Sequence, residues 1–125
     1  GCSSYSSWNL LLDPDGKPNV GRHPCGGLYT YDYEKGKLTE SVQARVLQHF
    51  SPYVKRGAKI LSIDQPDNNM IAIAFQNPKG DYVVCIAAAD KPNKRQTLQL
   101  KYKGQYMLIS LPMNTWSLTT ILIEK

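Results

Sequence analysis

Beyond residue 58 the apolar positions fall into short runs separated by turn chemistry, the pattern of β-strands rather than helices. The spacing predicts strands at 58–63, 70–75, 82–88, 97–102, 105–111 and 116–123. Asn77-Pro-Lys-Gly80 joins the second and third as a hairpin, while Gln65-Pro-Asp-Asn68, Asp90-Lys-Pro-Asn93 and Lys103-Gly-Gln105 separate the others. In Thr97-Leu-Gln-Leu-Lys-Tyr102 polar and apolar residues alternate, so Leu98, Leu100 and Tyr102 pack inward from a strand solvated on its other face. Such a ladder predicts a mostly β fold: an antiparallel two-sheet β-sandwich, immunoglobulin-like in architecture.

The first 57 residues read differently. Residues 8–12 form an apolar run closed by Asp13-Pro14 and Asp15-Gly16, punctuation that ends a buried strand. A Gly- and Pro-rich connection over 13–27 leads to an extended stretch at 28–31 and a turn at Glu34-Lys-Gly-Lys37. The one helix is predicted to start near Thr39, which caps its free N–H groups, with Glu40 at the positive end of the dipole. Val42, Val46, Leu47 and Phe50 recur on one face, and Pro52 stops the helix. His49 then sits at its end, placed to bond a free carbonyl or to favour the negative pole. Two parts are expected, an extended segment plus helix over 1–57 and the sandwich over 58–125.

At 125 residues the chain can bury about two-thirds of its unfolded surface without a disulfide or a metal. Cys2, Cys25 and Cys85 lie far apart and lack the close Cys or His pairs of a zinc site, so neither metal nor cofactor is expected. Cys85, inside Tyr82-Val-Val-Cys-Ile-Ala87, reads as a small core residue. The formal charge of +5 is compatible with acidic partners. Lys91, Lys94, Arg95, Lys101 and Lys103 cluster, but they fall in turns or on the polar phase of a strand without a DNA or RNA motif, so nucleic acid is not an expected partner. No stretch approaches the roughly twenty apolar residues that cross a bilayer, and no basic-then-apolar leader is present, so no membrane span is expected.

Chemistry-bearing residues are sparse. His23 and His49 do not stand at a recognised catalytic or metal spacing with Cys25 or Asp13, and Ser3-Ser4 and Ser6-Ser7 lack the Gly-flanked elbow of a nucleophile. The seven Asp and three Glu fall in turns, in the first helix turn or at the C-terminus, never inside a predicted strand. No catalytic residue is assigned.

Three segments, Trp8-Asn-Leu-Leu-Leu-Asp-Pro-Asp-Gly-Lys-Pro-Asn19, Pro24-Cys-Gly-Gly-Leu28 and His49-Phe-Ser-Pro-Tyr-Val-Lys-Arg-Gly-Ala58, together resemble the C-terminal portion of glycoside hydrolase family 30, which includes the glucosylceramidases. The resemblance spans nearly the whole chain. It implies that residues 8–12 are the last strand of an enzyme barrel whose earlier strands lie outside this sequence, and that the sandwich buttresses that barrel. Hydrolysis in the family is double displacement by two carboxyl groups about 5 Å apart, both carried upstream of the strand that matches Trp8. By resemblance, then, this chain is not an enzyme by itself, and its parent is a retaining β-glycosidase that is secreted, periplasmic or at the cell surface. Trp8 matches a tryptophan lining the sugar pocket, Asn9 follows it, and His23 stands where glucosylceramidases carry a sugar-contacting asparagine. Val20 stands where an aromatic is common and His23 replaces that asparagine, and the two departures put glucosylceramide specificity in doubt. Cys2-Ser3-Ser4 also has the form of a mature lipoprotein start, though the resemblance places it within a barrel strand.

Two partner expectations complete the reading. The chain pairs with the catalytic barrel of its parent or with a complementary chain, and an uncovered sheet edge favours self-association into a homo-oligomer. Alternatively the sandwich is an independent carbohydrate-binding module, with Tyr102, Tyr106 and Trp116 as stacking surfaces for a glycan.

Overall fold

The computed structural model describes residues 2–21, 25–64, 70–88, 94–102, 104–113 and 116–125, the side chains at 94–96, 98, 100, 102, 112 and 113 excepted. The chain divides into two compact units, Gly1–Gln48 and His49–Lys125. The change of periodicity at residue 58 marks a change of secondary structure, whereas the unit boundary marks a change of packing.

In the first unit, β1 (Leu11–Leu12) runs parallel to β2 (Tyr29–Asp32), which pairs antiparallel with β3 (Lys37–Glu40). The apolar run at 8–12 thus contributes only two strand residues. Asn9, at φ 58°, breaks the extended backbone that the run predicts. Gly27 lies where a Cβ would meet the Tyr29 carbonyl oxygen at 2.8 Å and Leu12 Cγ at 3.3 Å, so the approach of β1 to β2 requires glycine. The β2–β3 turn is built by Asp32, whose Oδ1 accepts from the backbone N–H groups of Glu34 and Lys35, both at 3.1 Å.

The short helix α1 (Val42–Gln48) begins later than predicted. Thr39 is committed to the ladder opposite Thr30, and its β-branched side chain suits that place. Ser41 is the cap: its Oγ accepts from Ala44 N at 3.2 Å, and its carbonyl accepts from Arg45 N. Glu40 is therefore a strand residue and not a first-turn acid, and Asp32 likewise ends a strand. Glu40 is held by Arg45 Nε at 3.3 Å and by Gln48 Nε2. The helix face also differs. Ala44 is its buried residue and Leu47 is half-buried, whereas Val42 and Val46 are exposed. The i, i+3 pair set by the Ser41 start, rather than the i, i+4 valines, defines the inner stripe.

The second unit holds a four-stranded antiparallel sheet, ordered β4 (Lys59–Leu61), β5 (Met70–Gln76), β6 (Tyr82–Ala88) and β9 (Ser117–Ile123). A two-stranded antiparallel ribbon, β7 (Lys94–Tyr102) and β8 (Gln105–Met113), completes it. Four consecutive buried residues, Val83 to Ile86, show that β6 is covered on both faces. On one face Ala74, Val84 and Ile86 form the core, with Leu61, Met70, Ala72, Ala88 and Ile121 from the sheet and Leu111 from the ribbon packed against them. Leu111 makes the ribbon a second layer. The fold is mostly β, antiparallel and sandwich-like, as the strand spacing predicts. Thr97, Gln99 and Lys101 are exposed as the alternation requires, while the side chains of the predicted inward set, Leu98, Leu100 and Tyr102, lie outside the described residues.

The opposite sheet face is covered by the segment following α1. Phe50 sets its ring edge-on to Phe75, 6.5 Å between centroids. Asn77, nearly fully buried, staples the segment: its Oδ1 accepts from Lys55 N at 2.9 Å and its Nδ2 donates to the Tyr53 carbonyl at 2.9 Å. Every polar function of that side chain is thereby satisfied, so its burial carries no desolvation penalty of an unpaired amide. His49 does not bond a helix carbonyl. Its Nδ1 lies 2.9 Å from Thr120 Oγ1 on β9.

Candidate functional site

Trp8 stands on the approach to β1, held there by main-chain bonds on the residues after it. Leu28 N donates to the Asn9 carbonyl at 3.2 Å, and Tyr29 N donates to the Leu10 carbonyl at 2.9 Å. The left-handed turn at Asn9 redirects the backbone, and the Trp8 side of it remains 74% exposed. Asn9 is half-buried. Tyr5 and Leu10 are exposed nearby in sequence, so the segment before β1 carries exposed aromatic and aliphatic side chains. A ring face of this kind can cover the C–H surface of a pyranose.

The following loop is fixed by its own chemistry. Asp13 Oδ1 accepts from Lys17 N, and Asp13 N donates to the Lys17 carbonyl, each at 2.7 Å. Asn19 Nδ2 reaches Cys25 Sγ at 3.3 Å, linking the Pro-Asn and Gly-Gly segments. Sequence spacing gave no sign of that contact. His23, the third residue implied by the family resemblance, lies outside the described residues.

The carboxyl groups with described partners are engaged in structure. Asp13 closes a turn, and Asp32 organises another. The side chain of Lys35, 2.9 Å from Asp32, lowers the carboxyl below its ordinary range. Glu40 ties β3 to α1, and Asp81 accepts from Asn77 at 3.4 Å. Among the described residues, no group of three or more His, Cys, Asp and Glu could hold a metal ion. No described helix is long and apolar enough to cross a membrane.

Of the proposed glycan-stacking residues, Tyr106 on β8 is 62% exposed and Trp116 is 79% exposed. The backbone at Trp116 is left-handed, φ 57°, immediately before β9. Tyr102 pairs with Gln105 in the ribbon register, while Lys101 pairs with Tyr106 and sets its Nζ 5.5 Å from that ring centroid.

No family model matches the chain. Solved structures do. SrfJ from Salmonella typhimurium superposes at TM-score 0.80 with 26% identity, over 94% of this chain and 26% of that one. The endo-β1,6-glucanase BT3312 superposes at TM-score 0.80 with 25% identity, again over 94% of this chain and 26% of the other. The likeness is to glycoside hydrolase family 30. The chain spans about a quarter of the length of these family 30 enzymes while nearly all of it takes part in the match. The family 30 resemblance drawn from the segments at 8–19, 24–28 and 49–58 is thus met by the likeness to these solved structures.

Proposed function

We propose that this chain is the non-catalytic C-terminal β-sandwich portion of a retaining β-glycosidase of the family 30 type, supporting the barrel that carries out hydrolysis. The observation that carries the reading is the asymmetry of the match: 94% of this chain against 26% of each enzyme. A quarter-length piece that is mostly sandwich corresponds to support and positioning. The carboxyl groups of Asp13, Asp32, Glu40 and Asp81 serve turns and element junctions, which is a poor arrangement for a nucleophile and acid facing one glycosidic bond.

Within that reading Trp8 and Asn9 supply part of the wall of the sugar pocket once the barrel is complete, with the Trp8 ring against an apolar sugar face. A β-linked glucan is the substrate class for the whole enzyme, in line with the matched endo-β1,6-glucanase. The test is complementation. A family 30-type barrel lacking its sandwich is mixed with this chain, and both association and recovered glucanase activity are expected. Absence of any complex by sedimentation, with a barrel that is stable and active alone, would reject a supporting role.

A second reading is an independent carbohydrate-binding module, favoured by the exposure of Tyr106 and Trp116. Exposed aromatics of this size on a sandwich are suited to stacking on sugar rings without catalysis. Tryptophan fluorescence titration with soluble β-glucans checks it.

A further inference from the structure

Between Asp90 and Glu124 the sequence carries five Lys or Arg residues and no Asp or Glu. The other ten basic residues are matched by ten acidic ones, so the formal charge of +5 is the charge of this stretch alone. The stretch contains the β7–β8 ribbon. Its register pairs Thr97 with Ser110, Gln99 with Leu108 and Lys101 with Tyr106, and all six residues are exposed. Alternation puts these three adjacent pairs on one face of the ribbon.

We propose that this outer face binds an anionic polysaccharide, one bearing uronate carboxylates, with Tyr106 stacking on a sugar ring and Lys101 pairing with the carboxylate. The proposal rests on the glycan-binding reading and names its site and ligand class. From Thr97 to Lys101 the face runs roughly 13 Å, at about 3.3 Å per residue, room for a short run of sugar units in an extended polymer. Thr97, Gln99 and Ser110 offer hydroxyl and amide groups to the sugar hydroxyls. The Lys101 ammonium lies 5.5 Å from the Tyr106 ring centroid, so a pyranose seated on that ring brings its C5 carboxylate within reach of the cation. An exposed cation–ring contact is weak and exchanges readily for a carboxylate partner. The basic stretch raises the concentration of a polyanion near the ribbon, whereas neutral glucans gain nothing from it. A lipid surface fits less well. Leu108 is the single aliphatic residue among the six, and insertion needs a broader apolar face.

The experiment uses the whole chain with polygalacturonate, a neutral β-1,6-glucan and vesicles of phosphatidylcholine with phosphatidylserine, each at low and at physiological salt. Polygalacturonate is expected to bind. Lys101→Gln and Tyr106→Ala should each weaken it about three- to tenfold, while Tyr106→Phe retains it. Both sites are exposed, and unchanged circular dichroism confirms that the variants fold. Equal binding of the neutral glucan, lost in Tyr106→Ala, would overturn the acidic-glycan assignment and leave the glycan reading intact. Binding indifferent to Tyr106→Ala would reduce the effect to diffuse charge and overturn the site. Binding to vesicles alone, or to none of the three, would overturn it as well.

Discussion

His49 and Thr120 lie 71 residues apart in the chain, yet the imidazole Nδ1 sits 2.9 Å from the threonine hydroxyl. That hydroxyl donates its one proton to the His49 carbonyl at 3.1 Å, so towards the ring it acts as acceptor. The hydrogen-bond network therefore assigns the proton to Nδ1. Thr120→Val removes a donor and an acceptor at a part-buried site, and a loss of about 1–3 kcal/mol in urea unfolding is expected. Thr120→Ser should recover most of it. Nitrogen-15 spectra of His49 should show a protonated Nδ1, and a neutral ring protonated only at Nε2 would contradict the network.

Cys85 shares this site, its thiol 3.4 Å from the His49 carbonyl. Burial raises its pKa, with the Thr120 hydroxyl acting in the opposite sense. Because the folded-state value is raised, the associated stability is present in full below the unfolded thiol value, about pH 8.5, and is lost as pH rises through the folded value. Unfolding free energy should thus fall more steeply above about pH 8.5 in the parent than in Cys85→Ala. Parallel profiles would contradict this. Alkylation at neutral pH should label exposed Cys2 rapidly and Cys85 only on unfolding.

The sheet core gives a sharper contrast. Ile86→Ala, at a fully buried position, should cost about 2–5 kcal/mol through lost transfer energy and the cavity left behind. Ile71→Ala, on the opposite face and 70% exposed, should stay within about 0.5 kcal/mol. Chemical denaturation with an unchanged m-value checks both.

The β5–β6 hairpin was legible because several signals agree there: apolar runs on both sides, Asn77 and Pro78 in the turn, and Gly80 at φ 97° to close it. The helix was legible in existence but not in register. Thr39 and Ser41 are both competent caps, and only the pairing of Thr39 with Thr30 across the β2–β3 hairpin decides between them. A two-residue parallel contact such as Leu11 with Tyr29 leaves no periodicity to read. The same holds for Asn19 with Cys25 and His49 with Thr120, since local spacing does not encode partners brought together by the fold. Trp8 and Asn9 came forward through family resemblance alone, and their chemistry is assigned by the proposal.

The cap assignment carries its own test. Ser41→Ala should destabilise the chain by about 0.5–2 kcal/mol, while Thr39→Ala leaves the cap intact and loses only a strand preference of a few tenths. Equal losses measured by thermal unfolding would contradict the placement of the helix start.

The supporting role itself is tested by turnover. The purified chain, incubated with an aryl β-glucoside and with β-1,6-glucan, should release neither aglycone nor reducing sugar above a buffer control. Sustained release that follows the chain through purification, and that is lost on substituting one of its own Asp or Glu residues, would contradict a non-catalytic scaffold.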